Sequence, residues 1–296
     1  MRLLALALAV VLAPDAAAQE KKAEHLRMAL VNLRCDTSAG PDAKTNQAAI
    51  DANLKRHVWF VDMLAAEGAE FVGFPELSLN GYKFSKTMQW LRIDGPEIKA
   101  IQKKAIKKKI YISVGLALED TDGKRWNAQI VIDPEGRIIG MHKKIWLTAE
   151  KGFVEPGTEH HVFDVKGIRT GIVICADGTD RKNLQALVDQ GAKLIYGPHA
   201  NTTGSTIAGW YKFRSAWAGP KGWIAEMKVH AALHNHAAIA EPKYDAPMPL
   251  TPNGAWASGA WFIGPDGATI DRMPPSTQRG DSKEYVLICD VPIPKK

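Results

Sequence analysis

The sequence predicts a mixed α/β domain in which helices cover sheets that also contain hairpins. Short apolar runs rich in β-branched residues alternate with stretches whose apolar residues recur at helical spacing, which is typical of βαβ units. Two turns rich in Pro and Gly, at 133–136 and 264–267, join pairs of such runs and predict hairpins. The 296 residues are 46% hydrophobic, and no internal repeat or linker marks a boundary. One domain with a sizeable core is therefore the simplest organisation.

The first half of the chain alternates strands and helices. A strand at 71–74 runs directly into Glu76, so an acidic residue stands at the end of a buried strand. The other elements expected in this half are a strand at 28–33, a helix over 54–65 ending at Gly68, a lysine-rich helix over 98–109, and strands at 110–118, 126–132 and 138–142.

The second half returns to the same alternation. The apolar run 171–174 predicts a buried strand that ends at Cys175. The segment 225–235 fits either a helix or a strand. The remaining elements expected here are strands at 162–165, 168–175 and 194–196, a helix over 183–190 ending at Gly191, and closing strands at 261–263, 268–270 and 285–291.

The N-terminus has the pattern of a signal peptide. Arg2 precedes an apolar run at 3–13 that is too short to span a bilayer, and the small residues at 16–18 fit a cleavage site. We expect a signal peptide over 1–18 and a mature domain over 19–296 that is exported, to a periplasm or out of the cell. A membrane anchor or a buried N-terminal helix is the alternative. No membrane span is expected in the mature chain.

The positive charge does not predict a nucleic-acid partner. The formal net charge is +6, and much of the excess lies on the lysine-rich helix. No aromatic residues interleave these lysines and no base-reading motif follows, so a solvated helix face is favoured over nucleic-acid binding. The lysines are Lys99, Lys103, Lys104, Lys107, Lys108 and Lys109, around the apolar residues Ile98, Ile101, Ala105 and Ile106.

The three cysteines have different surroundings. Cys35 and Cys289 lie in strand-like runs, which suits packing better than a disulfide, although a pairing between them stays open. Cys175 follows a buried strand, and ligands meet a sheet at such strand ends. It is either a small buried hydrophobic residue or a nucleophile that needs a base and a charge-stabilising group elsewhere in the chain.

Three polar residues stand at the ends of strands or hairpins, and they are Glu76, Lys144 and Cys175. Residues 74–82, Phe-Pro-Glu-Leu-Ser-Leu-Asn-Gly-Tyr, resemble the glutamate segment of the nitrilase superfamily of carbon-nitrogen hydrolases. Residues 140–147, followed by Glu150 and a Pro-Gly pair, resemble its lysine segment, and 171–177 resemble its cysteine segment. Lys144 is preferred to its neighbour Lys143 because it keeps a three-residue step to Leu147.

The resemblance implies a four-layer α-β-β-α sandwich, commonly a dimer or larger homo-oligomer. It implies hydrolysis of a non-peptide carbon-nitrogen bond in a small amide-type molecule, without a metal or another cofactor. In this scheme Glu76 takes the proton of Cys175, whose sulfur attacks the amide-like carbon and forms a thioester. Lys144 and the backbone N–H of Ala176 stabilise the oxyanion, and Glu150 holds Lys144 and the substrate.

The cysteine segment departs from the family pattern. Many members have an aromatic residue after the cysteine and an arginine two residues after the aspartate, where this chain has Ala176 and Thr179. Ala176-Asp177 is nearer to the amidase and carbamoylase branches than the Trp-Glu of true nitrilases, so amide hydrolysis is favoured over nitrile hydrolysis. The candidate substrate-binding residues are Trp146, His199 and Asn201.

Three other functions compete with this one. A metal enzyme is suggested by the clustered His230, His234 and His236, but no glutamate stands between them as in a zinc-protease motif, so isolated or surface histidines are favoured. Acyl transfer to an amine would use the same thioester. A catalytically silent binding protein is disfavoured because all three polar centres are kept.

Overall fold

The protein is described by a computed structural model that covers residues 24–201, 207–237, 259–275 and 284–294. The predicted signal peptide over 1–18 lies outside these described residues. Cys35, Cys175 and Cys289 all fall within them and carry free thiols.

The first sheet consists of β1 (His25–Asn32), β2 (Phe71–Gly73), β3 (Tyr111–Glu119), β4 (Arg125–Ile132), β5 (Ile138–Lys143) and β12 (Tyr285–Pro292). The strands lie in the order β12-β1-β2-β3-β4-β5. Strands β1, β2 and β3 are parallel, and all other neighbours are antiparallel. Because β4 and β5 form the predicted hairpin, the residue after β5 returns towards the end of the sheet that β2 points to.

The second sheet consists of β6 (Val162–Val165), β7 (Ile168–Ile172), β8 (Leu194–Pro198), β9 (His230–His234), β10 (Ala260–Ile263) and β11 (Thr269–Arg272). Its order is β11-β10-β9-β8-β7-β6, with β7, β8 and β9 parallel and the outer strands antiparallel. Both sheets thus combine three parallel strands with an antiparallel hairpin, although the sequence contains no detectable repeat.

Helices cover the outer faces of both sheets. The helices are α1 (Ala43–Ala66), α2 (Pro96–Lys108), α3 (Arg181–Asp189), α4 (Ile207–Phe213) and α5 (Trp223–Met227). Phe60 of α1 and Ile101 of α2 pack with Val72 on the first sheet, whereas Leu187 of α3 packs within the core of the second. The order of layers is α-β-β-α, which confirms the predicted four-layer sandwich.

Alternation along β1 separates the two cores. Met28 and Leu30 point into the space between the sheets and join the core that includes Tyr196 of β8. Ala29 and Val31 point the other way, into the core under α1 and α2. This period of two is the expected geometry of a strand buried on both faces.

Two predicted elements, the first helix and the segment 225–235, have wrong boundaries. Helix α1 begins at Ala43, capped by Asp42, rather than at 54, because its first turns bury the polar Asn46 and Asn53, which apolar periodicity cannot detect. The segment 225–235 is not one element: α5 ends at Met227 and β9 begins at His230.

The strand before the nucleophile ends at Ile172 rather than at Cys175. Ile106, expected on the apolar side of the lysine-rich helix, is 52% exposed. Within the described ranges, every helix is too short or too polar to cross a lipid bilayer.

Candidate active site

Glu76 lies in a tight loop that crosses β3 directly after β2. Leu77, the next residue, has a φ of 52°, and the Leu79 N–H donates to the carbonyl of Gly115 at 3.0 Å. A Cβ at Gly115 would lie 2.3 Å from the Leu77 nitrogen, so only glycine lets the loop approach this closely. On its other side, the Glu76 carbonyl oxygen lies 2.6 Å from Nε2 of His236. The Glu76 side chain is held fully buried.

Lys144 directly follows β5, and two backbone hydrogen bonds hold it. Its N–H donates to the carbonyl of Asn127 at 2.8 Å, and its carbonyl accepts from the N–H of Gly157 at 2.8 Å. A Cβ at Gly157 would lie 2.1 Å from the carbonyl oxygen of Lys143. The backbone at Gly157 therefore lies too close to that of Lys143 for a side chain, which explains why a glycine follows Pro156 in the lysine segment.

The ammonium of Lys144 lies between two carboxylates. Its Nζ is 2.8 Å from Oε1 of Glu76 and also pairs with Oε1 of Glu150. The side chains of all three residues are 0% exposed. The neighbouring Lys143 instead places its Nζ 3.7 Å from the ring centre of Trp126. The structure therefore brings Lys144, and not Lys143, to Glu76.

Neutral donors complete this charged cluster. Tyr82 donates its hydroxyl to Glu150 at 2.7 Å, and Thr148 donates its hydroxyl to the same carboxylate oxygen at 3.0 Å. Asn127 donates its side-chain amide to Oε1 of Glu76 at 2.7 Å. These donors orient the two carboxylates around Lys144, as buried ion pairs require.

The two oxygens of Glu76 differ in their partners. Oε1 accepts from both Lys144 and Asn127. Oε2 is buried and has no hydrogen-bond partner among the described residues. A buried carboxylate oxygen without a partner is costly. It is free to accept a proton from a group that enters the site, which is the property required of a general base.

Cys175 begins a 3₁₀ turn, Cys175–Thr179, shortly after β7. Its φ of 46° is unusual for a residue that carries a Cβ. The backbone N–H of Ala200, in the loop after β8, lowers the pKa of the Cys175 thiol. Cys175 is 7% exposed, so the thiol is largely shielded from solvent. The N–H of Ala176 makes no hydrogen bond to another described backbone group.

Asp177 links the cysteine turn to the lysine loop. One oxygen accepts from the backbone N–H groups of Ile145 at 3.0 Å and Trp146 at 2.7 Å. The other accepts from the N–H of Ile174 at 3.1 Å and lies 2.8 Å from Nε2 of His142. This buried carboxylate therefore holds the cysteine turn at a set distance from the segment that carries Lys144.

Burial and the nearby charges change the pKa of the Cys175 thiol. Burial and then the carboxylate of Glu76 raise the pKa of Cys175, against the opposing charges of Lys144 and Arg214, to about 12. Burial also raises the pKa of Glu76, against the opposing charge of Lys144. The resting thiol is therefore protonated near neutral pH, and a nearby base must remove its proton.

The lysine and the second glutamate remain charged. Burial opposes the charge on Lys144, but the nearby Glu76 and Cys175 raise the pKa of Lys144 well above its ordinary value. Burial also opposes the charge on Glu150, yet the charge and hydrogen bonds of Lys144 and Tyr82 hold its pKa below the usual range. A permanent cation therefore lies beside the carboxylate of Glu76.

The three candidate substrate-binding residues lie in different environments. The Trp146 side chain is 53% exposed. His199 is fully buried, with Nδ1 2.8 Å from the carbonyl oxygen of Gly197, and burial holds its pKa well below the ordinary value. Asn201 is buried, and its backbone N–H donates to Asn235 at 2.9 Å. The residue at the sulfur is Ala200, which lies between the two predicted ones.

The clustered histidines do not form a metal site. His230 and His234 lie on β9 rather than on a helix, which puts them on the same strand instead of one helical face. His234 is hydrogen-bonded to Val31 and Tyr196, and His236 to Glu76. Isolated or surface histidines were expected, and of the three His234 and His236 are buried while His230 is half-buried. No group of metal-ligating residues is present in the described part of the chain.

Sequence reasoning missed several residues of the site. Tyr82 lies inside the glutamate segment and Asn127 inside the predicted strand 126–132, yet both hydrogen-bond to the site carboxylates. Arg214 gave no signal, because a single arginine in an aromatic stretch looks like a surface residue. It is 1% exposed and donates to the Cys175 carbonyl oxygen at 2.7 Å.

Known proteins resemble this chain in sequence and in fold. A nitrilase from Pyrococcus abyssi is 30% identical over 155 residues, which is 50% of this chain and 58% of that protein. A formamidase from Bradyrhizobium diazoefficiens is 26% identical over 204 residues, which is 67% of this chain and 56% of that protein. The match spans less than two thirds of the length of either relative.

A solved structure extends the likeness in fold to most of the chain. The crystal structure of an amidase from Nesterenkonia sp. matches with a TM-score of 0.69 at 17% identity, covering 92% of each chain. The Carbon-nitrogen hydrolase family model matches residues 28–226, the part that contains Glu76, Lys144, Glu150 and Cys175. The resemblance of its three segments to the nitrilase superfamily is thus confirmed. The chain belongs to the carbon-nitrogen hydrolase family.

Proposed function

We propose that this protein hydrolyses the carbon-nitrogen bond of a small amide through a thioester on Cys175. The observation that carries the proposal is the buried Glu76 carboxylate, which has one oxygen bound to Lys144 and the other without a described partner. Its charge and that of Lys144 both act on the Cys175 thiol. A base, a permanent cation and a nucleophile are the groups that this chemistry requires.

In the first half of the reaction, Oε2 of Glu76 takes the proton of Cys175 as the sulfur attacks the amide carbon. The carbonyl oxygen becomes an oxyanion, which Lys144 and the N–H of Ala176 stabilise. A donor in such a position contributes about 3 to 4 kcal/mol to the transition state. The amine leaves with the proton from Glu76, and a thioester remains on Cys175.

In the second half, water attacks the thioester carbon while Glu76 accepts one of its protons. Collapse of the second oxyanion breaks the carbon-sulfur bond and releases a carboxylic acid. The proton on Glu76 returns to the departing sulfur, so the site ends as it began. Glu150 acts throughout by keeping Lys144 charged and in place.

Relatives support an amide as the substrate. Similar proteins include a formamidase and an omega-amidase from Homo sapiens that is 25% identical over 169 residues. A variant of the Nesterenkonia amidase carries the acetamide moiety of fluoroacetamide on its active-site cysteine. A cysteine on this fold therefore reacts covalently with a small molecule that carries an amide. We propose that Cys175 likewise meets an amide and attacks its carbonyl carbon.

The test is ammonia release from a panel of short amides, N-carbamoyl amino acids and nitriles. We expect turnover of amides by the parent protein and none by Cys175→Ala. Cys289→Ala is the matched control, because Cys289 is also a buried thiol but lies on β12, away from the site. Equal turnover by the parent and Cys175→Ala would falsify the proposal. Turnover of nitriles alone would replace the amide with a nitrile as substrate.

We also propose that residues 1–18 act as a signal peptide, since their charge and apolar pattern fit one. Expression of the full chain in a bacterial host, followed by mass determination of the purified protein, tests this. We expect the mass of a chain that begins at Gln19 in the periplasmic fraction. An uncleaved chain in the cytoplasm contradicts it.

Self-assembly into a dimer or larger homo-oligomer is a further proposal, based on the resemblance to the family. Sedimentation analysis of the purified protein tests it. We expect a mass at least twice that of the 32.4 kDa chain less its signal peptide. A monomer across the micromolar range contradicts it.

A further inference from the structure

Arg214 is a buried cation beside the nucleophile. It follows α4 directly and is 1% exposed. Among the described residues no carboxylate forms an ion pair with it, and its Nε has no hydrogen-bond partner. Its Nη2 donates to the carbonyl oxygen of Cys175 at 2.7 Å. Burying such a charge is unfavourable, so its contact with the nucleophile's own backbone points to a role in the site.

The cysteine turn is held by its carbonyl groups. All four carbonyl oxygens of residues 175–178 accept hydrogen bonds from side chains. The donors are Arg214 to Cys175 at 2.7 Å, Thr179 to Ala176 at 2.6 Å, Asn183 to Asp177 at 2.9 Å, and Trp217 to Gly178 at 2.9 Å. Side chains therefore set the orientation of each peptide group in the turn.

One of these peptide groups carries the proposed oxyanion donor. The carbonyl of Cys175 and the N–H of Ala176 belong to the same peptide, which is trans and planar, so they point in opposite directions. A donor that holds the carbonyl on one side therefore aims the N–H to the other side. A positive charge at the carbonyl oxygen also polarises the peptide and strengthens the N–H as a donor.

We propose that Arg214 is a positioning residue for hydrolysis, which sets the plane of the Cys175–Ala176 peptide and aims the Ala176 N–H at the developing oxyanion. The inference rests on the proposed function and adds a residue to it. It accounts for the conformation of Cys175, whose φ of 46° is unfavourable for a side chain with a Cβ and needs an external anchor.

The same segment supplies a matched control. Arg214 and Trp217 lie three residues apart and hold the first and last carbonyl of the turn. Trp217→Phe removes one hydrogen bond from the Gly178 end and leaves the Cys175–Ala176 peptide anchored. Arg214→Met removes the hydrogen bond and the charge from the Cys175 end while keeping a long side chain. Comparing these two variants therefore distinguishes misorientation of the Ala176 N–H from a general loss of order in the turn.

For Arg214→Met we expect kcat for the amide to fall about 100-fold, because a misplaced oxyanion donor acts in the transition state rather than on bound substrate. KM should change by less than about threefold. The inhibition constant of an aldehyde analogue of the amide should rise about as much as kcat falls, since its hemithioacetal oxygen occupies the oxyanion position. Trp217→Phe should stay within about threefold of the parent in all of these.

Thermal unfolding of each variant shows whether it folds. If Arg214→Met does not fold, Arg214→Lys becomes the test, because it keeps a buried cation with a shorter, single-point donor. We expect it to lose kcat and aldehyde affinity together, to a smaller extent than the methionine variant, at an unchanged KM.

Two results overturn the inference. One is an unchanged kcat and aldehyde affinity in a folded Arg214 variant. The other is a raised KM confined to substrates with a carboxylate, which would make Arg214 a substrate-binding group instead. Cys175→Ala separates this failure from that of the proposed function: if it abolishes turnover while Arg214→Met does not reduce it, only the inference about Arg214 fails.

Discussion

This protein contains two clusters of three charged side chains. One is a cation between two anions and is fully buried, and the other is an anion between two cations and is partly exposed to solvent. In the candidate site one lysine, Lys144, lies between Glu76 and Glu150, and all three side chains are 0% exposed. On the outer helices one aspartate, Asp62 of α1, lies between Lys104 and Lys108 of α2. Those side chains are 42%, 15% and 29% exposed.

The difference in burial changes what each cluster can do. An exposed pair contributes about 0 to 1 kcal/mol to folding, because water screens the attraction. A buried cluster must offset the loss of hydration of every charge, and removing one member leaves the others uncompensated. A chain gains little stability from such a cluster, so its presence is best explained by chemistry. The following predictions test this contrast, from the largest expected effect to the smallest.

Glu76→Gln should lower kcat by at least about 1,000-fold, because it removes the base while a neutral carboxamide of nearly the same size takes the place of the carboxylate. The thiol pKa of Cys175 should fall, since the carboxylate charge that raises it is gone while Lys144 and Arg214 remain. The pH dependence of the reaction of Cys175 with dithiodipyridine measures this pKa. Cys175→Ala is the blank for other thiols. A variant with normal kcat contradicts the role of Glu76 as base.

Lys144→Met should lower kcat by about 100-fold or more and also destabilise the fold. Two uncompensated carboxylates then remain buried, which costs about 3 to 5 kcal/mol in the free energy of unfolding. Denaturant titration measures it, with Lys143→Met as the control, because Lys143 contacts the Trp126 ring instead of the cluster. A stability equal to that of the parent would show that the buried cluster resembles the exposed one.

The pKa values of the two buried glutamates are shifted in opposite directions, so the two residues should affect different measurements. Glu76 has a raised pKa and must be charged to act as base, so kcat/KM should rise with pH through that raised value. Glu150 has a lowered pKa, so its stabilising effect is complete above its unfolded pKa, near about 4.3, and is lost as the pH falls through the folded value.

Rate profiles and denaturant titrations across the acid range measure the two effects. In Glu150→Gln the acid loss of stability should be smaller than in the parent. An activity that falls as the pH rises through the weakly acidic range contradicts the role given to Glu76.

Asp62→Asn should have the smallest effect. It removes the anion from the exposed cluster, and we expect a loss of less than about 1 kcal/mol in the free energy of unfolding, with kcat unchanged. Added salt should reduce the difference from the parent further. A loss of several kcal/mol would mean that burial does not separate the two clusters.

Much of the fold followed from apolar patterns. Strands β2 and β3 lie within a few residues of their predicted positions, because buried strands read as continuous apolar runs. The start of α1 was missed because its first turns bury Asn46 and Asn53, whose amides bind neighbouring loops. Periodicity reports apolar burial only, so helices anchored by polar side chains are shortened in any such reading.

The site was predictable in part. Glu76, Lys144, Glu150 and Cys175 were predicted as site residues because each stands in a segment that resembles a family motif. The structure places the first three in one buried cluster, and the charges of Glu76 and Lys144 act on the thiol of Cys175. Tyr82 and Arg214 were not predicted to act there, because their contacts join segments far apart in the chain.

The sequence alone determined the α/β class, most of the order of the elements and the residue types available for chemistry, since these depend on local composition and spacing. The tertiary structure decided which oxygen of Glu76 is left without a partner and which backbone groups reach the sulfur of Cys175. It also decided that Arg214 holds the nucleophile's carbonyl. Hydrogen bonds of this kind depend on distances of a few tenths of an ångström between distant segments, and only the packing of the two sheets and their loops sets those distances.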